Sequence, residues 1–342
     1  MRRWFCVLCA VASCCVAAAA LGDPYEVNPA VEVRVMDAVW GDGPGEFTWR
    51  GDEWGMHEVT RFGPFALDDS GRIYIAEIHS KRNEVLVFDR EGRFVEAIPM
   101  LRERNYVVSD LAVYNGRIYW MPWEGEPLLG PKKVFSVKSG GKSVEEIEVT
   151  SDPLLTGNIE GRHNVTGNAG FFVGPEGLSL YARRSGLCYP LVCGAESLAP
   201  AEQAAGKQYG LPMDSGARIM TIFGRKTTAL SGKEVAGGDV VRVRADGVIE
   251  KLLVSEGLIG VAGSYFLCDT GEKVENEWRT YWVLRHTDGA LLSRTRHAAR
   301  DHTRMIEIRH NIRLAADGSF YELFVDDKGV HVSRWVTQLE GR

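Results

Sequence analysis

The sequence predicts an all-β fold built from repeated, four-stranded antiparallel sheets. Short apolar runs rich in Val, Ile and aromatic residues recur along the chain, and turns containing glycine separate them. Glycine is abundant, with 38 among 342 residues, and no long heptad or low-complexity tract is present. Because one small sheet cannot bury both of its faces, such units must pack side by side.

Residues 63–99 contain the repeat unit in its clearest form. Four runs have strand character, and turns ending in glycine connect the first to the second and the third to the fourth. A polar loop joins the second run to the third. The runs are residues 64–67, 72–77, 85–88 and 94–98.

This stretch resembles an NHL-type propeller repeat, in which a P-x-A-x-D-x-x-G-x-I-Y-V segment precedes a polar loop and a V-x-V-F-D-x-x-G segment. The matching residues are Pro64, Ala66, Asp68, Gly71, Ile73, Tyr74, Ile75, Val85, Val87, Phe88, Asp89 and Gly92. The resemblance implies a β-propeller blade. It implies no particular activity, since this fold carries binding modules as well as unrelated enzymes.

Five further copies of the unit follow, and the last is incomplete. They begin near residues 106, 170, 216, 258 and 312, and the last has no fourth strand before the chain ends. Residues 31–36 alternate like a half-buried strand but have no neighbouring hairpin partner. We therefore expect one β-propeller domain over residues 31–342, with six four-stranded blades and the N-terminal strand completing the last. The turn glycines are unevenly spaced, so seven blades or an irregular five remain open.

Residues 1–22 have the features of an export signal, with two arginines followed by an apolar segment. Small residues at 20 and 22 favour signal-peptidase cleavage and a mature start near Asp23, followed by a polar leader over residues 23–30. Alternatively, residues 11–14 resemble a bacterial lipobox, which would end the signal before Cys14 and make that residue the lipidated N-terminus. Both routes predict an exported protein, periplasmic or anchored by lipid, without a transmembrane span after processing.

The charge of the chain argues against nucleic-acid binding. The formal net charge is −6, and both arginines of the signal would be lost on processing. Phosphate contact requires a clustered basic surface, which an acidic chain of this kind lacks. We expect instead a protein, peptide or glycan partner in the cell envelope.

Loops that follow the second strand of each unit are the predicted location of functional groups. Glu77, Asp269 and Asp326 occupy such positions and would suit Ca²⁺ if they converged, although carboxylates at such positions often cap their own turns. Asn83 closes the irregular loop of the first unit, and Arg183 begins a basic pair that could meet an anionic ligand. No cofactor is otherwise predicted.

Histidines and tryptophans supply two further candidate sites. His302 lies in a segment with three other histidine or aspartate residues that could bind zinc or transfer protons, alongside Asp269 and Asp326 as candidate metal ligands. Four arginines in the same segment favour a solvated loop. Trp49 and Trp54 lie between glycines and could form an aromatic surface for a peptide or glycan.

Three cysteines remain beyond the signal, and two of them are close in sequence. Cys188 and Cys193 could form a disulfide in an oxidising compartment, or both could be buried thiols. No serine-hydrolase elbow, zinc-protease motif, P-loop or dinucleotide-binding fingerprint is present, so no catalytic residue is predicted. The sequence favours a binding or scaffold module. A metal-assisted hydrolase or lyase with its site in the propeller channel is the alternative.

Overall fold

A computed structural model of the protein describes the greater part of the chain. The described residues are 23, 25–48, 62–78, 82–100, 107–123, 133–141, 143–148, 169–182, 187–191, 208–221, 240–245, 248–253, 257–274, 276–297 and 311–338. They form 24 strands arranged in antiparallel, four-stranded sheets. The predicted all-β architecture of the propeller type is confirmed.

Five of the sheets each use four consecutive strands. The first sheet contains β2 (Phe62–Leu67), β3 (Ile73–Ile78), β4 (Asn83–Phe88) and β5 (Phe94–Pro99). The second contains β6 (Val107–Tyr114), β7 (Arg117–Trp123), β8 (Lys133–Lys138) and β9 (Val144–Glu148). The third contains β10 (Ala169–Gly174), β11 (Gly177–Ala182), β12 (Leu187–Pro190) and β13 (Gln208–Tyr209).

The fourth and fifth sheets continue the same pattern. The fourth contains β14 (Leu211–Pro212), β15 (Arg218–Thr221), β16 (Val240–Val243) and β17 (Ile249–Leu253). The fifth contains β18 (Gly257–Ala262), β19 (Tyr265–Val274), β20 (Glu277–His286) and β21 (Leu291–Arg296). Strands β19 and β20 are ten residues long each and form an extended hairpin.

The last sheet combines the two ends of the described chain. It contains β22 (Ile312–Leu314), β23 (Phe320–Val325) and β24 (Gly329–Val336), followed by β1 (Val31–Val39) as its outermost strand. Strand β1 pairs antiparallel with β24 from Val31 opposite Val336 to Val39 opposite Gly329, with an irregularity between Arg34 and Met36. The N-terminal strand therefore covers an edge of β24 that would otherwise be open.

Aspartates and glycines form the turns that the sequence predicts. In the first turn Asp68 Oδ1 accepts hydrogen bonds from the backbone N–H of Ser70 and of Arg72, both at 2.9 Å, while Gly71 takes a φ of +80°. Asp89 makes the equivalent bonds in the next turn of the same sheet. The carboxylate satisfies the N–H groups that the tight turn leaves unpaired.

Apolar side chains fill the spaces between adjacent sheets. Trp120 of the second sheet is fully buried in a cluster with Tyr74 and Val85 of the first. One further cluster joins the second sheet to the third, another joins the third, fourth and fifth sheets, and another joins the fifth to the last. A final cluster joins Met36 and Val332 of the last sheet to Phe65 of the first. The sheets therefore follow one another around a common axis.

The leader residues lie along the outer edge of the fifth sheet. Val27 and Arg294 exchange backbone hydrogen bonds of 3.0 and 2.7 Å, and the Ala30 N–H donates to Thr295 Oγ1 at 2.8 Å. Asp23 accepts from Arg279 Nη1 at 2.9 Å and from the Tyr281 hydroxyl at 3.2 Å. No helix of the described chain has the length and apolar character needed to cross a membrane.

Candidate functional site

The innermost strands of all the sheets surround a narrow axial channel. It encloses a cavity of about 160 Å³. Its walls are predominantly apolar, and every innermost strand contributes to them. Residues from successive strands are Ala66, Leu111, Phe172, Leu211, Leu258 and Ile312. The apolar wall follows from the strand patterns, because inward-facing positions of these short strands hold aliphatic or aromatic side chains.

One cation lies among the described residues of the channel wall. Arg313, in β22, donates from Nε to the carbonyl oxygen of Phe65 at 2.8 Å. Its Nη2 lies 2.5 Å from Asp110 Oδ1 and 3.4 Å from the Leu111 carbonyl oxygen. These bonds hold the guanidinium across the channel, between the last sheet and the first two.

Asp110 is the buried partner of this cation, with 1% of its side chain exposed. Oδ1 also accepts from the Leu111 N–H at 2.9 Å, and Oδ2 accepts from the Phe171 N–H at 2.6 Å. A buried carboxylate is tolerated when it is paired with a cation and hydrogen-bonded, and Asp110 meets both conditions. The Arg313–Asp110 pair consequently connects four sheets.

A wider funnel lies over one end of the channel. Its volume is about 850 Å³, and the turns after the innermost strands form its rim. Leu67, Val113, Phe172 and Leu314 line both the channel and the funnel, so the two cavities are adjacent. All innermost strands run toward this end, because their C-terminal residues and following turns meet there. We call it the turn face.

The carboxylates of the funnel differ in whether they already make hydrogen bonds or ion pairs within the protein. Asp68 caps its own turn, and Asp317 accepts from Ser319 and from Arg334 Nη2 at 2.6 Å. Asp69 and Asp214 are exposed and make no hydrogen bond or ion pair within the described part of the chain. These two carboxylates are therefore available to an incoming ligand.

The sequence-predicted residues Glu77 and Asn83 lie toward the opposite face, because β3 leads away from the turn face. Glu77 is buried, and its Oε1 accepts from the Thr48 N–H at 2.7 Å. Its Oε2 has no hydrogen-bond partner in the described structure, and the nearest cation, Arg82 Nη1, is 3.9 Å away. Burial raises the pKa of Glu77. The hydrogen bond from the Thr48 N–H and the charge of Arg82 lower this pKa, but by less than burial raises it. Asn83 begins β4, and its carbonyl accepts from the Met100 N–H.

Asp269 and Asp326 occupy different sheets. Asp269 lies within β19, opposite Gly257 on one side and Trp282 on the other. Asp326 Oδ1 accepts from the N–H groups of Lys328 and Gly329, so it caps its own turn. No group of three or more histidine, cysteine or acidic residues with metal-binding geometry occurs in the described ranges.

Asp326 also belongs to a partly buried contact that the sequence analysis missed. His331 Nε2 lies 2.8 Å from Asp326 Oδ1, and its Nδ1 lies 2.6 Å from Asp37 Oδ1 on β1. Burial would raise the pKa of both carboxyls, but hydrogen bonds from His331, with Arg34 at Asp37 and backbone N–H groups at Asp326, hold each pKa below its usual value. We call Asp37, His331 and Asp326 the closure triad, because it spans the seam between β1 and β24.

Several predicted site residues lie outside the described residues. These are Cys14, Trp49, Trp54, Arg183, Cys193 and His302. Cys188 is a buried free thiol in β12, packed with Tyr181 and Ile219, so the structure shows no disulfide at this residue. Burial raises the pKa of the Cys188 thiol. The Cys188 side chain packs into the core between sheets, and close spacing in sequence does not by itself supply the geometry that a disulfide needs.

The fold and the axial cavity define a β-propeller with a polar pair in its channel and a funnel at one mouth. No protein-family model matches the chain, and no curated protein matches it. Among solved structures, a member of the DUF4221 family from Bacteroides vulgatus is 11% identical, covering 90% of this chain and 98% of that one, with a TM-score of 0.43.

Two other solved structures are similar at the same low level. Virginiamycin B lyase from Staphylococcus aureus is 11% identical with a TM-score of 0.41, covering 90% of this chain and 98% of that one. YCF48 bound to D1 peptide is 10% identical with a TM-score of 0.39, covering 92% and 98%. These values are too low to transfer any property of those proteins to this chain.

Proposed function

We propose that this protein is an exported, non-catalytic propeller that binds a protein, peptide or glycan of the cell envelope through the funnel on its turn face. The observation that carries the proposal is the funnel itself, whose volume of about 850 Å³ lies within the range of ligand sites. Rigid sheets hold its rim, and its turns supply side chains that the fold does not need for packing.

The lining of the funnel favours a peptide over a glycan. Pro175 and Tyr321 provide apolar and aromatic surface, while Asp69 and Asp214 provide carboxylates that have no partner among the described residues. An extended segment with a lysine or arginine beside an apolar residue would complement both features. The proposed partner is therefore a basic segment of an envelope protein.

Three finer points belong to the same proposal. The sheets constitute six blades of NHL type closed by the N-terminal strand, which the pairing of β1 with β24 supports. Residues 1–22 direct export, and the mature protein is periplasmic or is anchored through a lipid at Cys14. The contribution of Trp49, Trp54 and Arg183 to partner binding remains a separate prediction.

Peptide binding tests the proposal directly. Fluorescence anisotropy would be measured with two labelled peptide pools of equal length, one rich in Lys and Leu and the other rich in Glu and Leu. We expect binding of the basic pool, weakened about tenfold by the double substitution Asp69→Asn and Asp214→Asn, since two charge-assisted hydrogen bonds would be reduced. Glu96→Gln, on the outer strand β5, is the matched control. Equal binding of both pools would count against the proposal.

A metal-assisted hydrolase or lyase is the competing function. It would need several ligands gathered around one point of the channel, whereas the described wall contributes apolar side chains and the Arg313–Asp110 pair. No cofactor is part of our proposal. Calorimetric titration with Ca²⁺, compared between the wild type and a variant with Asp269→Asn and Asp326→Asn, would identify a cation site if one exists at these carboxylates.

A further inference from the structure

The channel holds an unused hydrogen-bond donor. Arg313 uses Nε and Nη2 for the Phe65 carbonyl, Asp110 and the Leu111 carbonyl, and its Nη1 has no acceptor within the described chain. The side chain keeps 21% of its surface exposed, and it lines the cavity of about 160 Å³. A guanidinium has five N–H donors, so an accessible Nη1 leaves two of them for another molecule.

The charge of the site selects the type of acceptor. Asp110 already neutralises Arg313 at 2.5 Å and is itself buried. A carboxylate or phosphate placed beside the pair would add a buried charge without a counter-ion, which is costly in an apolar channel. A neutral oxygen can accept hydrogen bonds from the same N–H groups without the cost of burying another charge. The acceptor that fits is therefore a carbonyl oxygen of an uncharged compound.

The size and walls of the cavity select the rest of the molecule. Cavities of about 150 Å³ lined by aliphatic and aromatic side chains bind compounds of the size of benzene. The present walls, which include Leu111, Phe172 and Leu258, are of the same kind. The funnel lies directly over this cavity, since the two share part of their walls.

We infer that the axial channel is a binding site for a small neutral carbonyl compound, such as a cyclic ketone, ester or amide, with its carbonyl oxygen on Arg313 Nη1 and its hydrocarbon body against the apolar walls. This site is distinct from the peptide site proposed for the funnel rim. It would make the protein a sensor of a small molecule as well as a peptide-binding module.

Three probes of similar size test the inference. Cyclopentanone, cyclopentane and cyclopentanecarboxylate would be titrated into the full-length protein and followed by ligand-observed saturation-transfer NMR. We expect cyclopentanone to bind about tenfold more tightly than cyclopentane, because a hydrogen bond to a charged donor is added. The carboxylate should bind no better than cyclopentane. Equal affinities for the ketone and the hydrocarbon, or preferential binding of the carboxylate, would overturn the inference.

Two variants locate the site. Gly260 lines the cavity, and a Cβ added there would meet only Leu314 Cβ at 3.8 Å, so Gly260→Val fills space without forcing a clash at its first atom. We expect it to abolish cyclopentanone binding. The paired substitution Arg313→Met with Asp110→Asn removes the donor and should reduce the ketone to the affinity of the hydrocarbon. Unchanged cyclopentanone binding in a folded Gly260→Val protein would contradict the assignment.

The funnel variant separates this inference from the proposed function. Asp69→Asn with Asp214→Asn should weaken the basic peptide pool and leave cyclopentanone affinity unchanged, because both residues are in the funnel lining and neither lines the channel cavity. Gly260→Val should abolish cyclopentanone binding and leave binding of the basic peptide pool unchanged. Loss of both ligands in either variant would mean that the two cavities are not separate sites.

Discussion

Nη2 of Arg313 lies 2.5 Å from Oδ1 of Asp110 and joins the innermost strands of the last and second sheets across the channel. The first sheet lies between these two and contributes the Phe65 carbonyl, and the third contributes the Phe171 N–H. Adjacent sheets are held together by apolar clusters, whereas this pair connects sheets that are not neighbours. The pair therefore fixes the spacing of the innermost strands from within.

Replacing one partner of the Arg313–Asp110 pair should lower the free energy of unfolding more than replacing both partners. Arg313→Met removes this cation from a carboxylate with 1% exposure, and we expect a loss of about 3–5 kcal/mol in the free energy of unfolding. Adding Asp110→Asn should recover a large part of that loss, because the buried negative charge is then removed as well. Urea denaturation of both single variants and the double variant measures the coupling. Additive effects would mean that the two side chains act independently.

The closure triad should make stability sensitive to acid. The pKa values of Asp37 and Asp326 are lowered in the folded protein, so their contribution is complete above the unfolded pKa of about 4 and is lost as the pH falls through the folded values. Asp37→Asn with Asp326→Asn should flatten the fall in unfolding free energy between about pH 5 and pH 3. Denaturant titrations across this range provide the measurement. An unchanged profile would exclude the triad as a source of acid sensitivity.

Glu77 should have the opposite pH dependence. Because burial raises its folded pKa, its favourable contribution is complete below the unfolded pKa and is lost as the pH rises through the folded value. Glu77→Gln should therefore become more stable relative to the wild type as the pH rises from about 4 to 7. Denaturant midpoints across that range test this, with Glu96→Gln as a control. A difference that is constant with pH would show that Glu77 has the same pKa in the folded and unfolded protein, which would contradict the raised folded pKa.

Two turn glycines provide a matched test of the seam between the first and last sheets. Gly92 and Gly116 both have positive φ, at 77° and 68°. A Cβ on Gly92 would lie 2.2 Å from the Val35 carbonyl oxygen on β1, whereas one on Gly116 would meet nothing within 4 Å. Gly116→Ala should cost about 1 kcal/mol from backbone strain alone, and Gly92→Ala should cost clearly more.

Thermal or urea unfolding of the two alanine variants compares these costs. The difference between them measures how tightly β1 lies against the first sheet. Equal costs would indicate that the N-terminal strand leaves its position without penalty, which would contradict the close contact of β1 with the Gly92 turn.

The repeat unit could be predicted because its signals are local. Asp68 and Gly71 specify a turn, and the alternation around Tyr74 specifies a strand, whatever the rest of the chain does. The unpaired N-terminal strand was also recognisable, since a strand with an open edge requires a partner.

The channel could not be predicted in the same way. Arg313 and Asp110 are about 200 residues apart in sequence, and their contact depends on the order of the sheets around the axis. The local signal in the sequence is Asp110, which is the one charged residue of the innermost strand β6 (Val107–Tyr114). The repeat pattern favours the loops after the second strands as sites, but Asp326 in one of these loops caps its own turn and binds His331.

The most direct test of the central claim is site-specific photo-cross-linking in envelope fractions. A benzophenone amino acid would replace Ser70 in the funnel or Asn83 toward the opposite face, and cross-linked products would be identified by mass spectrometry. We predict a basic peptide segment cross-linked from position 70, abolished by excess unlabelled basic peptide, and none from position 83. Cross-links from position 83 alone would contradict binding at the turn face.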